Sequence, residues 1–177
     1  LASAITHFIV GAALAAPALE SRKIRSVLSD WMIPVSCGLL AVAPDLDTFV
    51  MRGLGIPFGG FWGHRGFFHS PFFLILLCAA LAAIFARQAW LPVAALWAAC
   101  AITHPLLDML TDGGSGVMFL FPFTDARLFF PWRPIHVSPI EISRFFSRAG
   151  YILLSELPFC LAAIALGQAG RLARRIR

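Results

Sequence analysis

Apolar residues in this chain come in long unbroken stretches rather than in alternation. Five stand out: Ile5–Leu19, Trp31–Val42, Pro71–Ala86, Trp90–Leu110 and Tyr151–Leu166. A run that is apolar on every side belongs in a core or a bilayer, and a helix needs about 20 residues to cross a bilayer. Only Arg87 and Gln88 punctuate the turn between the third and fourth stretches. The first two are short, and Pro44 breaks the chain just after the second, so they are expected to tilt or to dip in and return. A long segment from Gly113 to Gly150, rich in Phe, Trp and Pro with interspersed Arg, suits the headgroup level, where it would cover a site. The expected fold is all-α: one integral-membrane domain over residues 1–177, a bundle of about five apolar helices with this interfacial segment. The Ala-rich end of the first stretch fits a signal-peptide cleavage site. No basic region precedes it, however, and cleavage would discard His7, so it is expected to stay.

Composition agrees with a membrane protein. Hydrophobic residues make up 59% of the 177, charged residues 13%, too apolar for an ordinary soluble domain. The net charge of +5 does not point to nucleic acid, because the basic residues are scattered through loops and gathered in one C-terminal tail, as in proteins anchored against anionic headgroups. Cys37, Cys78, Cys100 and Cys160 are isolated and read as small buried hydrophobes.

What changes the picture is where the scarce ionisable residues fall. If five segments cross in succession, one side receives the N-terminus, the loop 47–70 and the segment 112–150. His7, Asp45, Asp47, His64, His69, His104, Asp108, Asp112 and Glu156 all lie on or near that side. A re-entrant first pair leaves this unchanged. The opposite side holds Arg22, Lys23, Arg25, Arg87, Arg171, Arg174, Arg175 and Arg177, eight basic residues against six (Arg52, Arg65, Arg127, Arg133, Arg144, Arg148). The positive-inside rule then puts the C-terminus in the cytoplasm and the polar face outside.

Ionisable groups at membrane depth need a partner that offsets their cost, and a divalent cation serves. His104, Asp108 and Asp112, each four apart, stack on one helix face. Asp45 and Asp47 follow a helix-breaking Pro44 and reach one ion or two neighbouring ions from a turn, and His64 and His69 flank Gly66 in another turn. Imidazole and carboxylate without thiolate suit zinc, manganese or iron(II), in a site for one to three ions. Arg65 has two roles open to it, a bidentate phosphate clamp or a salt bridge to Asp45 or Asp47. Glu156 is a ligand, a general acid or base, or an arginine's partner. His136 reads as an ordinary loop residue.

Four strings occur in order: Thr6-His7-x-x-x-Gly11, Pro44-Asp45-Leu46-Asp47, Gly63-His64-Arg65-Gly66-x-x-His69-Ser70 and His104-x-x-x-Asp108-Met109-Leu110-Thr111. Together they resemble the YdjM-like family of bacterial inner-membrane proteins assigned as metal-dependent hydrolases. Phe121-Pro122-Phe123 and Arg127-x-Phe129-x-Pro131-Trp132-x-Pro134 fit a subgroup of it. The hydrolase assignment rests on a distant similarity to bacterial zinc phospholipase C, which also uses a His-x-x-x-Asp helix in a three-metal site. That similarity implies His7, Asp45, His69, His104 and Asp108 as direct ligands, with Asp47, His64 and Asp112 as ligands or their supports. This chain departs from it later, where phospholipase C has a further His and a His-x-x-x-Glu helix. Glu156 would fill only the last role.

The expected function is hydrolysis of a phosphoester in a lipid or lipid-linked substrate by a metal-activated water. Asp47 or Glu156 would manage the proton, and Arg65, Arg127 or Arg133 would hold the phosphate. The alternative is a non-enzymatic metal-binding membrane protein that transports, senses or scaffolds. Membrane lipids are the expected surroundings, and the oligomeric state is open.

Overall fold

The computed structural model describes residues 2–139 and 141–176. Helix α1 (Ala4–Leu14) starts where the Ser3 hydroxyl accepts the Thr6 N–H, supplying one of the bonds a helix N-terminus lacks. Pro17 tightens its continuation into a 3-10 turn, Ala16–Glu20, and the short α2 (Arg22–Arg25) is capped by Ser21. Helix α3 (Met32–Val42) runs into a 3-10 turn, Ala43–Leu46, and resumes as α4 (Asp47–Leu54), which Gly55 ends in the left-handed conformation at φ 65°.

Pro44 therefore does not end the second apolar stretch. It occupies the first turn of a new helical segment, where its missing N–H leaves no bond unmade. The result is a 23-residue apolar helical run, Met32–Leu54, long enough to cross a membrane, instead of the short stretch expected from the sequence.

A Ser70 cap and Pro71 at the first position start α5 (Pro71–Phe85). A 3-10 turn, Arg87–Ala89, reverses the chain into α6 (Trp90–Met109). The last helix, α7 (Ile142–Arg175), has 34 residues and extends well past both ends of the expected Tyr151–Leu166 segment. Among the described residues there is no strand; Thr111 pairs with Ile135 and Val117 with Leu128 only as isolated bridges.

Helices α3, α5 and α6 share a core of Ile33, Cys37, Leu74, Cys78, Val93 and Trp97. Helix α1 lies against α3, α6 and α7. It comes close because Gly11 has no side chain: a Cβ there would sit 2.5 Å from the Ala41 Cβ. Gly167 of α7 does the same against the Ala13 carbonyl. Around the perimeter the pattern of a soluble protein is reversed. Leu154, Leu161 and Leu166 of α7, Ile84 of α5 and Leu91 of α6 are exposed, as side chains facing lipid must be.

Consecutive long helices run in opposite directions, so the starts of α1, α5 and α7 meet the ends of α3 and α6. The irregular chain between α6 and α7 folds back over this end. Its Met118 N–H bonds to the Arg65 carbonyl, and its Phe130 and Ile135 N–H groups bond to the Met109 and Leu110 carbonyls.

Candidate metal centre

Under that cover, five short pieces of chain bring imidazoles and carboxylates to one place. His7 comes from the first turn of α1, Asp45 from the 3-10 turn and Asp47 from the start of α4. His69 ends the turn Phe67–His69, while His104 and Asp108 lie one turn apart near the end of α6. The rings of His7 and His104 stack with centroids 3.8 Å apart, and His69 meets His104 edge-on at 4.8 Å. His104 Nε2 is 3.2 Å from Asp45 Oδ1 and 3.6 Å from Asp108 Oδ2. His69 Nε2 lies 3.5 Å from Asp45 and 3.9 Å from Asp108, and His7 Nε2 lies 3.5 Å from Asp108 Oδ1.

Two sets of ligand atoms each gather closely enough to hold an ion: Asp45, His69, His104 and Asp108, and Asp47, His64 and His69. Around the first set the supporting bonds are specific. His104 Nδ1 faces the Ala41 carbonyl at 2.7 Å, which fixes its proton there and leaves Nε2 as an electron-pair donor. Asp47 faces two imidazoles, with Oδ1 2.9 Å from His64 Nδ1 and Oδ2 3.2 Å from His69 Nδ1. The second approach is misaligned for a hydrogen bond. Burial pushes the His64 imidazole below its ordinary pKa, outweighing the Asp47 contact, so the ring is neutral and its Nε2 is free to take a proton or a cation.

The decisive feature is what these atoms lack. His7 Nδ1 and Nε2, Asp45 Oδ1, Asp47 Oδ2, His64 Nε2, His69 Nδ1 and Nε2, and His104 Nε2 are all buried without a hydrogen-bond partner. Each orphaned group costs about 1–3 kcal/mol, so eight of them cost roughly 8–24 kcal/mol, as much as the whole net stability of a typical domain. A divalent cation at each of the two ligand sets would partner the orphaned atoms of Asp45, Asp47, His64, His69 and His104. Imidazoles and carboxylates gathered in this way, with no cysteine in either set, could hold a metal ion.

The remaining expected site residues lie elsewhere. Asp112, third in the i, i+4 series, sits past the end of α6 and turns outward; it accepts the Val137 N–H at 2.9 Å and faces His136 Nδ1 at 2.8 Å. Glu156, fully buried, accepts from the Ser3 N–H, the Ser3 hydroxyl and the Thr6 hydroxyl, so it anchors the start of α1 and belongs to neither ligand set. Arg65 pairs with Asp108 at 3.0 Å, not with Asp45 or Asp47. Its other donors go to the Gly113 and Ser115 carbonyls and the Thr111 hydroxyl, which leaves little of the guanidinium to clamp a phosphate. Arg127 is likewise committed to the His64, Gly116 and Gly60 carbonyls, and Arg133 lies over the Phe129 ring.

Sequence reasoning missed two parts of the arrangement. The Ala41 carbonyl that orients His104 is backbone and leaves no mark in residue type. A cavity of about 630 Å³ opens beside His64 and is lined by Arg52, Arg144 and Arg148, which looked like ordinary loop arginines. Their only signal was position, in the last turn of α4 and the first turns of α7.

Comparison with known proteins then places the chain. Residues 3–173 match the family described as YdjM inner membrane protein. The chain belongs to the YdjM family. It is also 36% identical over 123 residues to Inner membrane protein YbcI of Escherichia coli (strain K12), covering 67% of this chain and 70% of that relative. No solved structure gives a significant match. As a YdjM-family protein it is an inner-membrane protein, and the helices long and apolar enough to cross a membrane, Met32–Leu54, Arg87–Met109 and Ser143–Arg175, agree with that location. The YdjM match reaches from before His7 to the last turn of α7, so it takes in every residue of the buried cluster.

Proposed function

We propose that this YdjM-family protein is a metal-dependent hydrolase of phosphoester bonds in a lipid or lipid-linked substrate. The observation that carries the reading is the set of eight orphaned buried donor atoms, set directly beside an arginine-lined cavity. Asp45, His69, His104 and Asp108 would hold the ion, with His7 completing their wall. A divalent ion held there would supply Lewis acidity and would lower the pKa of a bound water towards neutrality.

The chain's own residues do the rest. Arg65, locked to Asp108, holds that carboxylate in one orientation and offsets its charge. Asp47 orients His64 through Nδ1, so that His64 Nε2 takes the proton as a water adds to phosphorus. The phosphorus–oxygen bond to the lipid breaks, and the same proton passes to the departing oxygen. In this scheme Asp47 positions the base, and Glu156 and Arg65 support the scaffold. The covering segment 111–139 keeps bulk water from the buried face, and side chains at the membrane end admit an amphiphile.

The test is a screen of lipid phosphates against the zinc-loaded protein in detergent, with and without chelator. Turnover that chelation abolishes and that H104A and D108N lack supports the reading. Stoichiometric metal without turnover of any ester, together with metal movement across proteoliposomes, would instead support a transporter.

A further inference from the structure

The basic cavity and a second, apolar one adjoin beside the proposed centre. The first, about 630 Å³, has His64 and Arg65 in its wall, with Arg52, Arg144 and Arg148 around it. The second, about 260 Å³, runs between α1, α4 and the start of α7; Ile5, Val42, Leu46, Phe49 and Phe145 line it, with Asp45 also in its wall. Ser138 and Pro139 belong to both walls, so the two adjoin at the segment leading into α7.

Charge and polarity divide cleanly between them. Arg65 is neutralised by Asp108, and Arg144 pairs with Glu141 at 2.9 Å, the one carboxylate in the basic wall. Among the described residues Arg52 and Arg148 have no ion pair, so the chamber carries uncompensated positive charge beside the buried, unpartnered Nε2 of His64. The apolar cleft instead opens among side chains that face outward, with Ile5, Leu46 and Phe49 all exposed. An anion fits one and a hydrocarbon chain the other, with His64 in the wall of the first and Asp45 in the wall of the second.

We infer that Arg52 and Arg148, with Arg144, form the phosphate-recognition chamber for a lipid phosphate whose chain lies in the Ile5–Leu46–Phe49–Phe145 cleft. The inference rests on the hydrolase reading for its biological setting but makes a claim about binding alone. It replaces Arg65, Arg127 and Arg133 as the anion holders with Arg52 and Arg148, which have no ion pair among the described residues, and with Arg144 beside them.

The experiment measures binding by calorimetry to the zinc-loaded full chain in detergent. The probes are the non-hydrolysable phosphonate analogue of dioctanoyl phosphatidic acid and tail-less methylphosphonate. The lipid phosphonate should bind at least tenfold more tightly than methylphosphonate. R52Q/R148Q should weaken the lipid probe at least tenfold while keeping full zinc content. R22Q/R174Q, the same charge change at the opposite end of the bundle, should leave it unchanged. F49S should weaken the lipid probe and spare methylphosphonate. Equal binding of the two probes, or wild-type binding by R52Q/R148Q, overturns the inference. Because no turnover is read, binding that behaves as expected in a protein that hydrolyses nothing sinks only the enzyme reading. Turnover with R52Q/R148Q binding normally sinks only this one.

Discussion

Arg65 and Asp108 meet at 3.0 Å in a pocket that admits no solvent to either side chain. The residue holding this cation also has φ 60°, in the left-handed region where a non-glycine residue is strained by about 1–3 kcal/mol. The fold keeps that strain because it aims the guanidinium at Asp108, Thr111 and two carbonyls together. Removing one partner of a buried pair strands the other charge, at about 3–5 kcal/mol. R65M should therefore lower the detergent-solubilised protein's thermal midpoint by many degrees. R65K should recover little of the loss, since one ammonium cannot replace a planar fork with four acceptors.

Metal content gives the next check. Wild-type protein should carry zinc or a similar divalent ion by elemental analysis, and chelation should lower its melting temperature through mass action. D45N and H104A should drop the content at least tenfold. D112N should keep it, because Asp112 is engaged with His136 and Val137 outside the donor set.

Glu156 separates a structural carboxylate from a catalytic one. E156A leaves the Ser3 N–H and the Ser3 and Thr6 hydroxyls without their acceptor, at about 1–3 kcal/mol for each orphaned group that water cannot reach. Thermal stability should fall clearly while zinc content per folded chain is retained. Loss of the metal at unchanged stability would place Glu156 in the centre instead.

The loop clasp should show in acid. Slight burial raises the Asp112 pKa, but the His136 contact and the Val137 N–H lower it more, so the folded carboxylate binds its proton less readily than the unfolded one. A depressed carboxylate contributes stability above its unfolded pKa, and that contribution is lost as pH falls through the folded value. Between pH 6 and pH 3 the melting temperature of D112N should fall less steeply than that of the wild type. The effect is modest, because the group is largely exposed.

Gly11 carries the approach of α1 to α3. A methyl group there would meet the Ala41 Cβ at 2.5 Å and the Cys37 carbonyl at 2.8 Å, so one helix must move. G11A should weaken zinc binding without touching a ligand, because His7 stacks on His104 from α1. Titration with a competing chelator measures it.

Much of this molecule was legible before its coordinates. Unbroken apolar runs of membrane length are a property of composition along the chain. The parity of their crossings already put His7, His69 and His104 at one end, because an odd number of reversals decides which end a residue reaches whatever the packing. What residue types could not reveal was the partner each polar atom finds. Asp112 keeps perfect i, i+4 spacing with His104 and Asp108, yet α6 stops at Met109, and the carboxylate swings to His136 across a loop. Pro44 reads as a break, but one 3-10 turn absorbs it and carries the helix on through Asp47. Arg65, Arg127 and Glu156 look like chemistry and are spent on carbonyls, hydroxyls and Asp108, while the plain arginines at 52, 144 and 148 line the open cavity. Segment type and sidedness are local quantities that hydropathy fixes; which acceptor a buried donor meets is settled only when distant turns close against each other.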